Sequence, residues 1–292
     1  MPRLPLPDAH GIYTFPTDLI AAHQQWMNGL TAAKEVMTLT APLTGAPYWI
    51  EPRTPAGRPV IVIEPHHDDF ALSASGTFLA DPRPLTVITV FTRSRSVHPT
   101  LENTYPSVGA VSALRDREAA ASLAPFGADR IGLGHKDAEA PYRPYSEELL
   151  DQVTGELAEI IDREPHAELI APAAVTRHPD HLLVHEAART LGCRWFWEDV
   201  AFWSTYALAG CDRHLFQQRT RGELEPEIHD ITATVLDKVT VLHMHGSQMH
   251  PARKMYRPIR HAHTVAADML TAGPDDIAGP YAERFYRLGG TR

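Results

Sequence analysis

Five apolar, mostly β-branched residues, Pro59-Val60-Ile61-Val62-Ile63, run through Glu64-Pro65 into His66-His67-Asp68-Asp69. A strand without polar alternation is buried on both faces, which is the condition of a parallel strand covered by helices on each side. The run therefore calls for an α/β architecture. It also says where chemistry belongs, because ligands of open α/β sheets bind beyond the carboxyl ends of the strands, where loops and helix N-termini converge. His and Asp are the side chains that bind divalent metals and move protons.

Three more strand-helix alternations follow. Strands read at 85–91, 129–133 and 168–172, and helices at 71–79, 111–126, 146–163 and 182–191. The first helix is rich in small residues, which lets its backbone lie close to the sheet. Repeated alternation predicts a Rossmann-like, doubly wound and mostly parallel sheet flanked by helices, with a less regular C-terminal portion. We read one domain over 1–292: an N-terminal helical extension (1–50), a Rossmann-like core (59–192) and a C-terminal portion (193–292). Within the extension a helix is expected from Thr17 to Val36 and a short strand at Tyr48-Trp49-Ile50. The C-terminal portion carries strands in the aromatic stretch 195–206, the segment Leu224 to Asp230, a helix at 232–243 and a last helix near Tyr281 to Leu288. The polar stretch 92–108 has no periodicity and reads as a functional lid or a disordered loop.

Composition narrows the partners. A net charge of −9, from 36 acidic and 27 basic residues, argues against nucleic acid or an anionic membrane and leaves a small molecule as the expected ligand. Cys193 and Cys211 form no CxxC, so no disulfide framework or thiolate zinc site is signalled, and both are expected to be inert thiols in a reducing compartment. No continuous apolar run marks a signal peptide or a membrane span, so the expected location is cytoplasmic.

The strand at 168–172 ends, like the first, in chemistry: Arg177-His178-Pro179-Asp180-His181 opens a helix. If the strands ending at 64 and 172 are neighbours, His66, Asp69 and His181 meet above the sheet. Two imidazoles and a carboxylate are a catalytic zinc set that leaves a coordination position open. Asp68, beside a ligand but not itself one, is then the candidate general base. His178 is placed to polarise a carbonyl or stabilise an oxyanion, with Asp180 setting its tautomer or orientation. Asp137 and Arg143 flank a turn after the third strand and suit a hydroxyl-rich ligand. His185 follows His181 at i+4, but no Glu stands between them as in HExxH, so it reads as a packing histidine. Trp195, Trp197, Phe202, Trp203 and Tyr206 are either core or a stacking wall, core being the simpler reading.

At these residues the chain resembles the PIG-L (LmbE-like) zinc-dependent de-N-acetylases. Pro65-His66-His67-Asp68-Asp69 is similar to their first motif, P-H-x-D-D, and His178-Pro179-Asp180-His181 to their second, H-P-D-H. Arg115-x-x-Glu118, Ala140-Pro141-Tyr142-Arg143, Glu198-Asp199-Val200, Lys238 and His245-Gly246-Ser247-Gln248 continue the likeness in order. The resemblance implies zinc on His66, Asp69 and His181, one ion per chain with another divalent metal as the alternative. It also implies Asp68 as base and His178 as oxyanion stabiliser or acid with Asp180 as partner. Arg115 is placed as a structural or substrate-orienting residue and His245 as a substrate-binding one. Two departures stand out. Phe70 occupies a position where many members have Glu, removing a supporting carboxylate, and His67 a position often filled by Pro. The implied activity is zinc-dependent removal of an N-acyl group, expected to be acetyl, from an amino sugar or glycoconjugate. The alternatives are an amidase acting on thiol-sugar conjugates and a non-catalytic sugar-binding relative, for which Phe70 is the one support.

Overall fold

The computed structural model describes residues 50, 54–139, 141–200, 216, 220, 223–249, 256–270 and 279–289. The expected helix at 17–36, most of the short strand at 48–50, and Phe202, Trp203 and Tyr206 lie outside the described residues.

Strand β1 (Val60–Glu64) is buried along its whole length, as its unbroken apolar run requires. It is followed by two short helices, α1 (Asp69–Ser73) and α2 (Ser75–Ala80), where the sequence suggests a single helix over 71–79. β2 (Leu85–Thr89), α3 (Val108–Leu123), β3 (Asp129–Gly132), α4 (Glu147–Ile161), β4 (Glu168–Pro172) and α5 (Pro179–Thr190) complete the alternation. Capping fixes two of the starts. Ser107 accepts the backbone N–H of Ala110, and Ser146 that of Leu149, each satisfying one orphan donor of a first turn. The remaining elements are β5 (Trp195–Trp197), β6 (Leu224–Asp230), α6 (Val235–His243), α7 (Tyr256–Leu270) and β7 (Ala282–Leu288).

The sheet has seven strands in the order β3-β2-β1-β4-β5-β7-β6. The first five are parallel, and β7 runs antiparallel to both β5 and β6. The C-terminal portion thus adds three strands, β5, β7 and β6, to the sheet that holds the core. β7 corrects the expectation of a last helix near Tyr281 to Leu288. It lies between two strands with Ala282 to Tyr286 all buried, so the alternation that would have announced a strand is absent. Its polar residues have buried partners instead: Glu283 pairs with Lys238, and Arg284 with Glu198. Helix α7 carries no expectation from the sequence.

The two faces of the sheet carry separate cores. Val60, Val62, Val87 and Ile170 pack with Phe70, Phe78 and Trp197 on one side. Ile61, Ile63, Ile88 and Ala171 pack with the inner faces of α4 and α5 on the other. The alternation along β1 is therefore between two apolar layers, and truncating Ile61 to Ala is worth roughly 2–5 kcal/mol. Gly76 allows α2 its close approach, since a Cβ there would stand 2.9 Å from Ile231 Cδ1 and 3.0 Å from Glu283 Oε1. Both of its contacts belong to the C-terminal portion.

The register brings the two motif loops together. Val60 pairs with Glu168 and Val62 with Ile170, while Glu64 pairs with Thr89 on the other side. The chain runs β1-β2-β3 toward one edge and returns to place β4 on the opposite side of β1. The gap between β1 and β4 is the point where strand order reverses, the crevice in which open α/β sheets bind ligands.

Candidate active site

The loop after β1 turns so that Asp69 folds back on His66. Asp69 Oδ2 accepts the His66 backbone N–H at 2.9 Å and lies 3.2 Å from His66 Nδ1. From α5, across the crevice, His181 Nε2 comes within 3.5 Å of the same oxygen. One ligand atom from each of His66, Asp69 and His181 fits within 4.8 Å of the others.

The outward nitrogens of both imidazoles meet carboxylates. His181 Nδ1 is 2.6 Å from Asp199 Oδ1, and His66 Nε2 is 2.9 Å from Asp180 Oδ2. A carboxylate on the far nitrogen fixes the tautomer and aims the other nitrogen inward, the usual support of a metal-binding histidine. The electrostatics agree with a cation site. Burial works against a charged His66, yet the carboxylates of Asp180 and Asp69 override it and raise its pKa to about 10. His181 is likewise raised against burial by Asp69 and Asp199. Burial would raise Asp69, but His181 and His66 hold it well below the ordinary carboxylate range. Two imidazoles and a carboxylate are a donor set that zinc accepts, and the residues fit a divalent metal.

The loop that delivers His178 and His181 is under local strain. Ala174, two residues beyond β4, has φ of 56°, a left-handed conformation uncommon for a residue with a Cβ. Asp199 Oδ2 accepts the N–H of the next residue, Val175, at 2.9 Å. The carboxylate that orients His181 therefore also holds the loop that carries it.

Around this centre stand the other expected residues. Asp68 Oδ1 accepts a hydrogen bond from Arg115 at 2.8 Å, and a second guanidinium nitrogen donates to Ser94 Oγ at 3.0 Å. Ser94 in turn donates to Asp137 through a very short hydrogen bond. Arg115, Ser94 and Asp137 thus form one chain ending on Asp68. Asp137 is raised by burial, and its Oδ1 is buried with no hydrogen-bond partner among the described residues. His178 lies against both imidazoles, with centroids 5.2 Å from His66 and 5.5 Å from His181. Burial, then the neighbouring His181 and His66, push its pKa down to about 3, so its imidazole is neutral. Asp180 Oδ2 is 4.0 Å from His178 Nδ1, farther than from His66, and also accepts the Ala138 N–H at 2.9 Å. Arg143 is exposed on the loop after β3.

His245 is buried on the turn after α6, and burial lowers its pKa to about 4 although Asp68 pulls the other way. Its turn is pinned by neighbours: Glu118 accepts the backbone N–H of Ser247 at 2.7 Å and its hydroxyl at 2.5 Å, and Gln248 donates to Ser96 O at 2.7 Å. Arg115 and Glu118, three apart on α3, are both buried and reach different loops, so they are not a solvated pair. His185 bonds through Nδ1 to Pro172 O at 2.8 Å behind β4, a packing contact. His67 is buried, and its ring nitrogens have no hydrogen-bond partner among the described residues. Burial and the Arg115 charge keep it neutral, at about 2.

Three supporting residues had no assigned part in the sequence reading. Asp199 stands just past β5, the strand beside β4, and a carboxylate at a parallel strand's carboxyl end is the signal that would have found it. Glu64 is the last residue of β1. Its Oε2 accepts the Phe70 N–H at 3.0 Å and its Oε1 the Thr89 hydroxyl at 2.7 Å. Ser94 sits in the aperiodic stretch, where nothing in the sequence marks it.

Comparison with known proteins decides the lineage. Residues 61–191 match the family model described as PIG-L, GlcNAc-PI de-N-acetylase. A 2′-N-acetylparomamine deacetylase from Streptomyces fradiae is 30% identical over 251 residues, covering 77% of this chain and 88% of that protein. The chain belongs to the PIG-L family. Among solved structures, the A40926 pseudoaglycone deacetylase superposes with a TM-score of 0.59 at 22% identity, over 79% of this chain and 96% of that one. A 4-carboxy-2-hydroxymuconate hydratase from Pseudomonas putida superposes with a TM-score of 0.52 at 15% identity, over 79% and 95%. At those identities the likeness is one of fold, and a fold that also carries a hydratase does not by itself select a reaction. For this PIG-L chain the reaction must come from the site. Among the described residues no helix is long and apolar enough to cross a membrane.

Proposed function

We propose that this chain is a zinc-dependent N-deacetylase acting on an N-acetylated amino sugar or a glycoconjugate that carries one. The observation that carries the reading is the joint placement of His66, Asp69 and His181 around one point, with Asp68 one residue from a ligand and held by Arg115. Family membership and the amino-sugar substrate named for the Streptomyces relative support it.

When bound, the metal supplies a Lewis acid that polarises the amide carbonyl and activates water. The protein's own groups do the rest. Asp68 takes the proton from the attacking water. Arg115 occupies its Oδ1, which leaves the other oxygen for that task and fixes the carboxylate's direction. Neutral His178 donates its single ring N–H as a hydrogen bond to the oxygen on which charge develops, a role that an imidazole with a depressed pKa fills without first being charged. Asp68, once protonated, returns the proton to the departing amine. Asp180 and Asp199 hold the two ligand imidazoles. On the substrate side, the buried Asp137 Oδ1, which has no donor among the described residues, is a candidate acceptor for a sugar hydroxyl or ammonium, since a buried carboxylate oxygen without a donor is costly until a ligand supplies one. Arg143, exposed on the loop after β3, and the buried His245 are the remaining candidates for substrate contact.

The test is amine release from N-acetylated amino sugars together with metal content. Asp68→Asn should keep zinc and lose turnover by about 10²–10⁴-fold, while His181→Ala should lose zinc. Wild-type turnover in the first variant, or full zinc occupancy in the second, overturns the corresponding assignment. A non-catalytic relative would release no amine.

A further inference from the structure

We propose that Tyr142 is a specificity residue for the ring of the substrate, an aromatic platform at the mouth of the crevice against which an N-acylated amino-pyranoside lays its apolar C–H face. The inference rests on the deacetylase reading above and names the part of the substrate that this reading leaves undefined.

Among the described residues Tyr142 is the one large hydrophobic side chain left exposed, at 55%. An isolated exposed aromatic needs no explanation by itself. This one has a fixed place. Its ring meets that of His178 edge-on, with centroids 4.4 Å apart and planes inclined by 60°. His178 in turn stands 5.2 Å and 5.5 Å from the rings of His66 and His181. Tyr142 is therefore the next aromatic layer outward from the metal ligands. The carboxylates of Asp180 and Asp137 also face it and, after partial burial, contribute to raising its phenol above the ordinary value. It belongs to the crevice and not to a remote surface.

The chemistry of the surroundings selects the ligand. In an N-acylated amino sugar the amide nitrogen is bonded directly to a ring carbon, so an acyl carbonyl placed beside His178 brings the ring into the layer that Tyr142 occupies. A pyranose ring presents C–H groups on its faces and hydroxyls on its edges. Tyr142 offers an apolar π surface for the first, and the buried Asp137 Oδ1, which has no donor among the described residues, offers an acceptor for the second. An edge-to-face contact leaves an aromatic ring surface for a second partner, and aromatic rings with a polar tip suit interfaces that are apolar on one side and wet on the other. A purely acyclic amide would use the metal centre and leave Tyr142 in water.

The experiment compares Tyr142→Ala, Tyr142→Phe and Tyr142→Trp with wild type. It uses two substrates, a methyl N-acetyl-glucosaminide and the ringless amide N-acetylethanolamine, with Kd for the glycoside measured on metal-free protein by ligand-observed NMR. Tyr142→Ala should raise KM and Kd for the glycoside about tenfold, the scale of one lost aromatic contact, with kcat held within about threefold. The ringless amide should be unaffected, and the Phe and Trp variants should stay near wild type because the ring and not the hydroxyl does the work. An unchanged KM and Kd in Tyr142→Ala overturns the proposal, as does an equal loss on the ringless amide. A loss confined to kcat with a displaced acid limb of the pH profile also overturns it, since Tyr142 would then act on His178. If wild type releases no amine from either compound, the deacetylase reading fails. The Kd comparison still judges Tyr142, and absence of glycoside binding by wild type counts against it.

Discussion

Replacing Asp199 by Asn tests whether the metal site is built from its supports inward. Asp199 is buried, with one oxygen 2.6 Å from His181 Nδ1 and the other accepting the Val175 N–H at 2.9 Å. Both partners are donors when His181 presents Nε2 as a lone pair to the metal. An asparagine of the same shape has one acceptor and one donor end, so it satisfies either the imidazole or the loop. The only arrangement that pairs both turns the imidazole to the wrong tautomer, placing a proton where the metal binds. A hydrogen bond to a charged group is worth about 1.5–3 kcal/mol, and removing such a support typically costs 10–100-fold in metal affinity. Those ranges coincide, since tenfold in affinity is about 1.4 kcal/mol. Zinc Kd by competition with a chromophoric chelator should rise by that factor in Asp199→Asn. Much of the turnover should return at saturating zinc, because Asp68 and His178 are untouched. His181→Ala, which removes a ligand, should not be rescued by added zinc. A zinc Kd identical to wild type in a folded Asp199→Asn protein would refute the reasoning, as would turnover that zinc cannot restore.

Two further perturbations address the groups behind the base. Burial outweighs the Ser247 donors and the Arg115 charge at Glu118 and pushes its carboxyl from the ordinary 4.5 up to about 8. Between those values the native state keeps a proton that the unfolded chain releases, so stability is fully present below about pH 4.5 and falls as pH rises through 8, by about 1.4 kcal/mol per pH unit. Glu118→Gln should flatten denaturant-measured stability against pH by about one proton's worth in that window, and an unchanged slope would contradict the assignment. Ser94→Ala removes the hydroxyl shared by Arg115 and Asp137. It should cost about 1–3 kcal/mol of stability for the groups left unpaired and raise KM for the sugar substrate, with Ser94→Thr much closer to wild type; equal melting temperatures and KM values for wild type and Ser94→Ala would argue against a positioning role.

The parallel core was legible because its signal is local. β1 and β4 announce themselves as apolar runs bounded by proline and polar clusters, and the expected bounds of β4, 168–172, are those observed. β7 was illegible for the opposite reason. In Tyr281-Ala282-Glu283-Arg284-Phe285-Tyr286 the polar residues are buried through partners as distant in sequence as Lys238 and Glu198, and no local period encodes a pairing with a residue elsewhere. The site divides in the same way. His66, Asp68, Asp69, His178 and His181 stand in two short strings whose residue types mark them as candidates, and the fold brings the strings together. Asp199 and Ser94 act through a partner, and their part follows only from the registers that lay β4 beside β1 and β5, and β2 beside β1 and β3.

The same distinction explains why a phenylalanine can follow the paired aspartates. A carboxylate at position 70 would have to be carried by the first turn of α1, facing the layer where Phe70 now packs at 5.2 Å from Phe126 and 5.7 Å from Phe78. In this chain a carboxyl group reaches the start of α1 from the strand below. Glu64 accepts the Phe70 backbone N–H, one of the orphan donors at the start of α1, while Thr89 on β2 donates to its other oxygen. The loop bearing His66, Asp68 and Asp69 is thereby tied at both ends to the rigid sheet, by β1 before it and by the Glu64 bond after it. Burial raises Glu64 to about 8 despite those donors, so near neutral pH its carboxyl holds its proton and adds no third carboxylate beside Asp68 and Asp69. In the folded chain position 70 is given over to the core, and the start of α1 is tied to β1 by Glu64, six residues back along the sequence.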